Sequence, residues 1–126
     1  MSELVLRDVQ GGVATLTLNR PKRRNALSPQ LLDALIEALA EVKADPEVRV
    51  VVLTGAGDKA FCAGGDLGGQ AVATGVAGLH EGRRAFSDLF HALFELGKPT
   101  IARVQGTCLG GGLGIMLACD MAVVSD

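Results

Sequence analysis

The chain has 126 residues and a mass of 13.0 kDa, room for one core and one site. Apolar residues make up 48% and charged residues 21%, a globular balance that excludes global disorder, while 12 Lys and Arg against 14 Asp and Glu leave a net charge of -2 and no field for gripping nucleic acid or an anionic membrane. With no Trp, no Tyr and 4 Phe the chain also lacks aromatic platforms for single-stranded nucleic acid, whereas its 17 glycines are roughly twice the usual share.

The N-terminus, MSELVLRD, has no basic region followed by an apolar one, so no signal peptide is expected. Two β-favouring runs, Leu4 to Val9 and Val13 to Leu18, flank Gly11-Gly12, a dipeptide suited to a two-residue hairpin. The basic segment NRPKRRNALSPQ follows, and within it Ser28-Pro29 predicts a helix start, with Ser as N-cap and Pro at the first helical position. Leu31, Leu32, Leu35, Ile36, Leu39 and Val42 then form an apolar stripe on a helix running to about Ala44, stopped by Asp45-Pro46. Val48 to Thr54 reads as a strand covered on both faces of a parallel sheet. A long loop, GAGDKAFCAGGDLGGQ, comes next, and Ala71 to Gly78 is small and patternless. A second helix is predicted over Leu79 to Leu96, with Phe86, Leu89, Phe90, Leu93, Phe94 and Leu96 on its buried side and Gly97-Lys98-Pro99 as its stop. Thr100 to Gln105 reads as a strand, Gly106 to Gly112 as a glycine loop, Leu113 to Cys119 as a short helix and Met121 to Val124 as a strand. The stretch from Cys108 to Cys119 is too short for a membrane span, which takes ~20 residues. Strands alternating with helices predict an α/β layer with a parallel sheet, whose ligands bind beyond the carboxyl ends of the strands. Both glycine-rich turns lie at that end.

Several chemistries lack their signatures. Gly55, Gly57 and Ala60 fit GxGxxA after a strand, but the chain then runs into FCAGGD rather than a helix, and no acidic residue follows near Gly75, so a dinucleotide fold is the weaker reading. No GxxxxGK[ST], GxSxG or HExxH sequence occurs. His80 and His91 have no converging ligand set, and Cys62, Cys108 and Cys119 have no CxxC spacing, which predicts reduced, mostly buried thiols of a cytosolic protein without a metal. What stands out is FCAGGDL at Phe61 to Leu67 and LGGGLGIMLACD at Leu109 to Asp120. Two glycine turns after two parallel strands can aim two backbone N–H groups at one point, which stabilises an oxyanion without side chains. The second opens a helix, whose N-terminal dipole favours negative charge. The same glycines also suit tight packing alone, and both readings fit the residues.

Taken together, LNRPKRRNALS at Leu18 to Ser28, VVLTGAGDKAFCAGGDL at Val51 to Leu67 and KPTIARVQGTCLGGGLGIMLACD at Lys98 to Asp120 resemble, in order and separation, the crotonase superfamily of enoyl-CoA hydratases and isomerases. The resemblance covers almost the whole chain. It implies a crotonase-like α/β spiral of repeated ββα units over residues 1–126, with the family's C-terminal helical part outside this chain. It also implies an acyl-CoA substrate whose thioester carbonyl is bound as an enolate by the amides of Gly65 and Gly111. By the same resemblance the backbone from Ala63 through Asp66 to Leu67 runs beside the pantetheine and adenine. Lys22, Arg23 and Arg24, with Ala26 nearby, stand where the family contacts coenzyme A. No separate cofactor is implied, since coenzyme A is part of the substrate, and the family's trimers and hexamers imply a homo-oligomer in the cytoplasm.

Gly114 departs from the pattern. Hydratases of the family carry a glutamate three residues after the second oxyanion glycine, and a second glutamate on a later segment, past Asp126. Glycine at 114 supplies neither acid nor base, and Asp66 and Asp120 are poor replacements. Members with only the later glutamate can still move a proton between carbons of an enolate, so the departure shifts weight from hydration toward isomerisation, or toward a non-catalytic acyl-CoA binding or assembly subunit.

Overall fold

A computed structural model of the chain describes residues 3–65 and 75–125, with side chains in the second stretch from residue 83 onward. Strands β1 (Val5–Gln10) and β2 (Val13–Leu18) form the expected antiparallel hairpin. Its two turn residues, Gly11 and Gly12, have φ of 58° and 84°, the left-handed pair that a twist-matched two-residue hairpin requires. Helix α1 (Pro29–Ala44) starts at the predicted residue, with Ser28 Oγ accepting the Leu31 N–H at 3.1 Å. Leu31, Leu32, Leu35, Leu39 and Val42 are buried, while Ile36 sits half-buried at the flank of the stripe.

Among the described residues five more strands and two more helices follow: β3 (Val50–Gly55), β4 (Ala60–Cys62), α2 (Gly75–Phe94), β5 (Thr100–Val104), β6 (Thr107–Cys108), α3 (Gly111–Ala118) and β7 (Met121–Val124). The order is therefore three successive ββα units and a further strand. Both strands of the first unit, the first strand of each later unit and β7 form a sheet of order β1-β2-β3-β5-β7, parallel from β2 onward, while β4 and β6 pair with each other in a separate two-stranded sheet. This ββα repeat is the crotonase-type spiral.

Two stretches expected to be loop thus contain strand, β4 after β3 and β6 after β5. Both are too short to show a period, and each takes the other as its ladder partner. The second helix begins four residues earlier than expected, at Gly75, so Gly75 to Gly78 are helical; Ala71 to Thr74 lie outside the described residues. Phe94 is 71% exposed rather than buried. Leu89, Leu93 and Leu96 set the inward face, and one residue of helix turns about 100° away from it.

The core lies between the sheet and α1 and α2, built from Leu16, Leu18, Leu35, Leu39, Leu53, Leu89 and their neighbours. Lys98, just after α2, donates to the carbonyls of Val42 at 2.6 Å and Asp45 at 2.7 Å, satisfying acceptors at the end of α1 and tying the two helix ends together. Strand β7 is an outer strand of the sheet with Met121, Val123 and Val124 exposed, and Leu113 and Leu117 of α3 are exposed as well. Among the described residues no helix is long and apolar enough to cross a membrane.

Candidate functional site

Strands β3 and β5 are parallel neighbours, Val51 opposite Thr100 through Leu53 opposite Ala102, so the chain leaves both at the same end of the sheet. The β4–β6 ladder then keeps the two excursions together. Ala60 pairs with Thr107 and Cys62 with Cys108, and one step further the Leu109 N–H donates to the Cys62 carbonyl at 3.1 Å. Beyond it the two glycine turns touch. Gly64 has φ of 104°, and a Cβ there would stand 3.1 Å from the Leu109 carbonyl oxygen and 3.6 Å from Gly110 Cα, so both its conformation and its neighbours demand glycine. Gly111 is the first residue of α3, whose opening N–H groups have no partner within the helix and no side-chain cap. Among the described residues, neither the Gly65 nor the Gly111 amide donates a hydrogen bond.

The basic segment forms a third side. A 3-10 turn spans Pro21–Arg23, and Arg24 and Asn25 are both left-handed, with φ of 53° and 56°. This reversal lays the next residues along the first glycine turn: Ala63 N–H donates to the Arg24 carbonyl at 3.0 Å, Leu27 N–H to the Gly64 carbonyl at 2.7 Å, and Leu27 bridges Gly65. Lys22, Arg23 and Arg24 are exposed there, and Ala26 is half-buried, its carbonyl accepting from Arg20 Nη1 at 2.7 Å. Ala63, Gly65, Gly111, Ala26 and the basic turn are therefore brought together. Asp66 and Leu67 lie outside the described residues, as does the side chain of His80, while His91 is exposed.

Two residues that hold the site were not singled out from the sequence. Asn25 is fully buried; its Nδ2 donates to the carbonyls of Ala60 at 2.9 Å and Ala56 at 3.1 Å, and its Oδ1 accepts from the Arg20 amide at 2.8 Å. Gln105 Nε2 reaches the carbonyls of Gly55 at 2.7 Å, Ala60 at 2.9 Å and Gly57 at 3.2 Å. Together they staple the β3–β4 connection. A signal was present in Arg24-Asn25, since asparagine tolerates the left-handed region better than most residues. Asn25→Asp is nearly isosteric but turns a double donor into an acceptor facing two carbonyls. It should cost about 3 kcal/mol at neutral pH, measured by denaturant unfolding, and an effect under about 1 kcal/mol would show that the staple is not structural.

Position 114 lies one turn into α3, half-buried, and is not open space: a Cβ there would stand 2.9 Å from Phe90 Cζ. Asp120 is at the other end of the sheet. Its Oδ2 accepts from the Thr100 amide at 2.8 Å and its own N–H donates to Thr100 Oγ1 at 3.0 Å, at the amino end of β5, so it clamps β5 to the start of β7. The cysteines are free; Cys62 is buried, whereas Cys108 and Cys119 are only half-buried, less than expected. Burial pushes the Cys62 and Cys119 thiols up to about 11 and also raises that of Cys108, so none supplies a thiolate nucleophile near neutrality.

The profile of the family described as enoyl-CoA hydratase/isomerase matches residues 8–126. The chain is 41% identical over 121 residues to (E)-benzylidenesuccinyl-CoA hydratase of Thauera aromatica, covering 96% of this chain and 46% of that protein. It is 39% identical over 122 residues to the short-chain-enoyl-CoA hydratase of Clostridium acetobutylicum, covering 97% and 46% respectively. The crystal structure of an enoyl-CoA hydratase of Mycobacterium smegmatis superposes with a TM-score of 0.93 at 40% identity, over 98% of this chain and 48% of that one. The chain thus spans about half the length of the curated relatives it matches. Three ββα units, two glycine turns joined at the carboxyl end of the sheet, and a family match over nearly every residue place this chain in the enoyl-CoA hydratase/isomerase family of the crotonase superfamily.

Proposed function

We propose that the chain binds an acyl-CoA thioester with its carbonyl oxygen between the amides of Gly65 and Gly111, stabilises the enolate that forms there, and so serves hydration or double-bond isomerisation of an enoyl-CoA. The observation that carries this reading is the contact between the two turns, joined by the β4–β6 ladder and each offering an amide with no partner among the described residues. Water adding to the β-carbon of an enoyl thioester, or loss of an α-proton from its isomer, moves an electron pair onto the thioester oxygen. Two fixed donors then stabilise that charge by several kcal/mol, because they do not have to reorganise as it develops. Backbone donors suit this task, being held by the ladder rather than by a rotatable side chain.

Lys22, Arg23 and Arg24 supply cations beside the rail from Ala63 to Gly65, where coenzyme A phosphates are held while the pantetheine follows the rail; Asp66 and Leu67 continue it by resemblance. Gly114 adds no acid or base, so the part taken by the described residues is to bind and polarise the thioester. The family's trimeric or hexameric assembly is proposed on the same footing.

Gly114 and the ring against it favour a second reading, a binding-only relative. The test is an assay of the natural protein containing this chain with crotonyl-CoA and longer enoyl-CoA thioesters, alongside calorimetric titration with acetyl-CoA. Turnover of any of them supports the enzyme; tight thioester binding without turnover overturns it in favour of the binding protein; absence of binding overturns both.

A further inference from the structure

The wall beside Gly111 and Gly114 is aromatic. A Cβ at 111 would stand 2.7 Å from Phe86 Cε1 and 3.0 Å from Leu27 Cδ1, and one at 114 would stand 2.9 Å from Phe90 Cζ. Positions 111 and 114 share one face of α3, and 86 and 90 share one face of α2, so the two rings lie side by side along the first turn of α3. Their centroids are 6.5 Å apart with planes inclined by 33°. Neither ring is sunk in the core: Leu89 and Leu93 of the same helix are buried, whereas Phe86 and Phe90 are half-buried and keep part of their surface open.

We infer that Phe86 and Phe90 form the specificity-determining wall against which the acyl group packs, with Phe90 filling the volume a side chain at 114 would need, so that the site takes acyl groups that are apolar next to the thioester. This rests on the proposed thioester site at Gly65 and Gly111. A ring face offers no hydrogen bond, so a carboxylate or other polar substituent placed on it would lose its water without gaining a partner. A methylene or aryl group placed there loses no hydrogen bond and gains contact area. Glycine at 111 and 114 is what lets the rings approach: any larger residue would push them out of the place they hold.

The test measures dissociation constants of acetyl-, butyryl-, octanoyl- and succinyl-CoA for the natural protein containing this chain and for its Phe90→Leu and Phe90→Ala variants, with thermal melts confirming folding. The wild type is expected to bind butyryl-CoA about tenfold or more tightly than succinyl-CoA. Phe90→Ala is expected to change the octanoyl-to-acetyl affinity ratio by about tenfold, and Phe90→Leu by less but in the same direction. If the alanine variant does not fold, the leucine variant carries the comparison. Folded variants with the wild-type chain-length profile, or with every affinity lowered equally, overturn the wall and leave the thioester site standing. A wild type that binds no thioester overturns the proposed function, and the wall with it.

Discussion

Gly112→Ala should destabilise the protein by about 3 kcal/mol or more and take thioester binding with it. A Cβ at 112 would meet the Cys62 carbonyl oxygen far inside contact distance, with Cys62 Cβ at 2.7 Å and the carbonyl carbon at 3.0 Å. Two of these three are backbone atoms of β4 and the third is the Cβ fixed to it, and that carbonyl already accepts the Leu109 N–H at 3.1 Å. No rotamer change relieves the clash, so the β4–β6 ladder itself must part, and that ladder is what joins the two glycine turns. Gly111→Ala is the control. Its Cβ would meet Phe86 and Leu27 only through side-chain atoms, which can rotate, and φ at 111 is not in the left-handed region. It should cost about 1 kcal/mol in stability while disturbing the ring wall. Urea unfolding of both variants, paired with acetyl-CoA titration, gives the comparison. Equal, small losses of stability would show that the turns do not depend on close approach at 112.

Why some elements were legible and others not follows from how far each signal reaches along the chain. The hairpin, α1 and β7 were placed almost to the residue because their signals are local: Gly11-Gly12 between two β-favouring runs, Ser28-Pro29 ahead of a leucine stripe, a short β-branched run after Asp120. Strands β4 and β6 have three and two residues, and nothing in FCAG or GTC marks a period; each is a strand only because the other lies beside it. The ββα repeat therefore emerged from the resemblance and the fold, whereas the residues alone showed strand, glycine turn and helix. The glycine motifs did identify both halves of the candidate site. What they could not show was the partner of each glycine. That Gly112 faces the backbone of Cys62 while Gly114 faces the ring of Phe90 depends on how α3 sits against β4 and α2, a relation between segments more than twenty residues apart. Asn25 was hidden for the same reason, since its three partners come from two separate stretches of the chain.

Gly114→Glu tests the departure at the heart of the site, and the structure changes what it should do. From the family pattern alone, a glutamate at 114 restores a missing acid and raises hydration. Here its Cβ would stand 2.9 Å from Phe90 Cζ and 3.4 Å from Cε1, so the new carboxylate must first displace the ring. The ring edge belongs to a half-buried side chain that can swing, so the variant should fold. The carboxylate would nevertheless be pressed against the aromatic ring with little room for water. Burial of that kind raises a carboxyl pKa and weakens it as a base near neutrality. Gly114→Glu alone should therefore leave crotonyl-CoA hydration little changed. Combined with Phe90→Ala it gains both space and water, and a positioned general base is worth about 10²- to 10⁴-fold. The expected result is strong non-additivity: neither single variant raises hydration appreciably, while the double variant raises it by about 100-fold or more in initial rates measured on the natural protein containing this chain. A full rise from Gly114→Glu alone would show that Phe90 does not occupy the position. No rise in the double variant, with thioester binding intact, would show that a side chain at 114 does not face the reacting carbons.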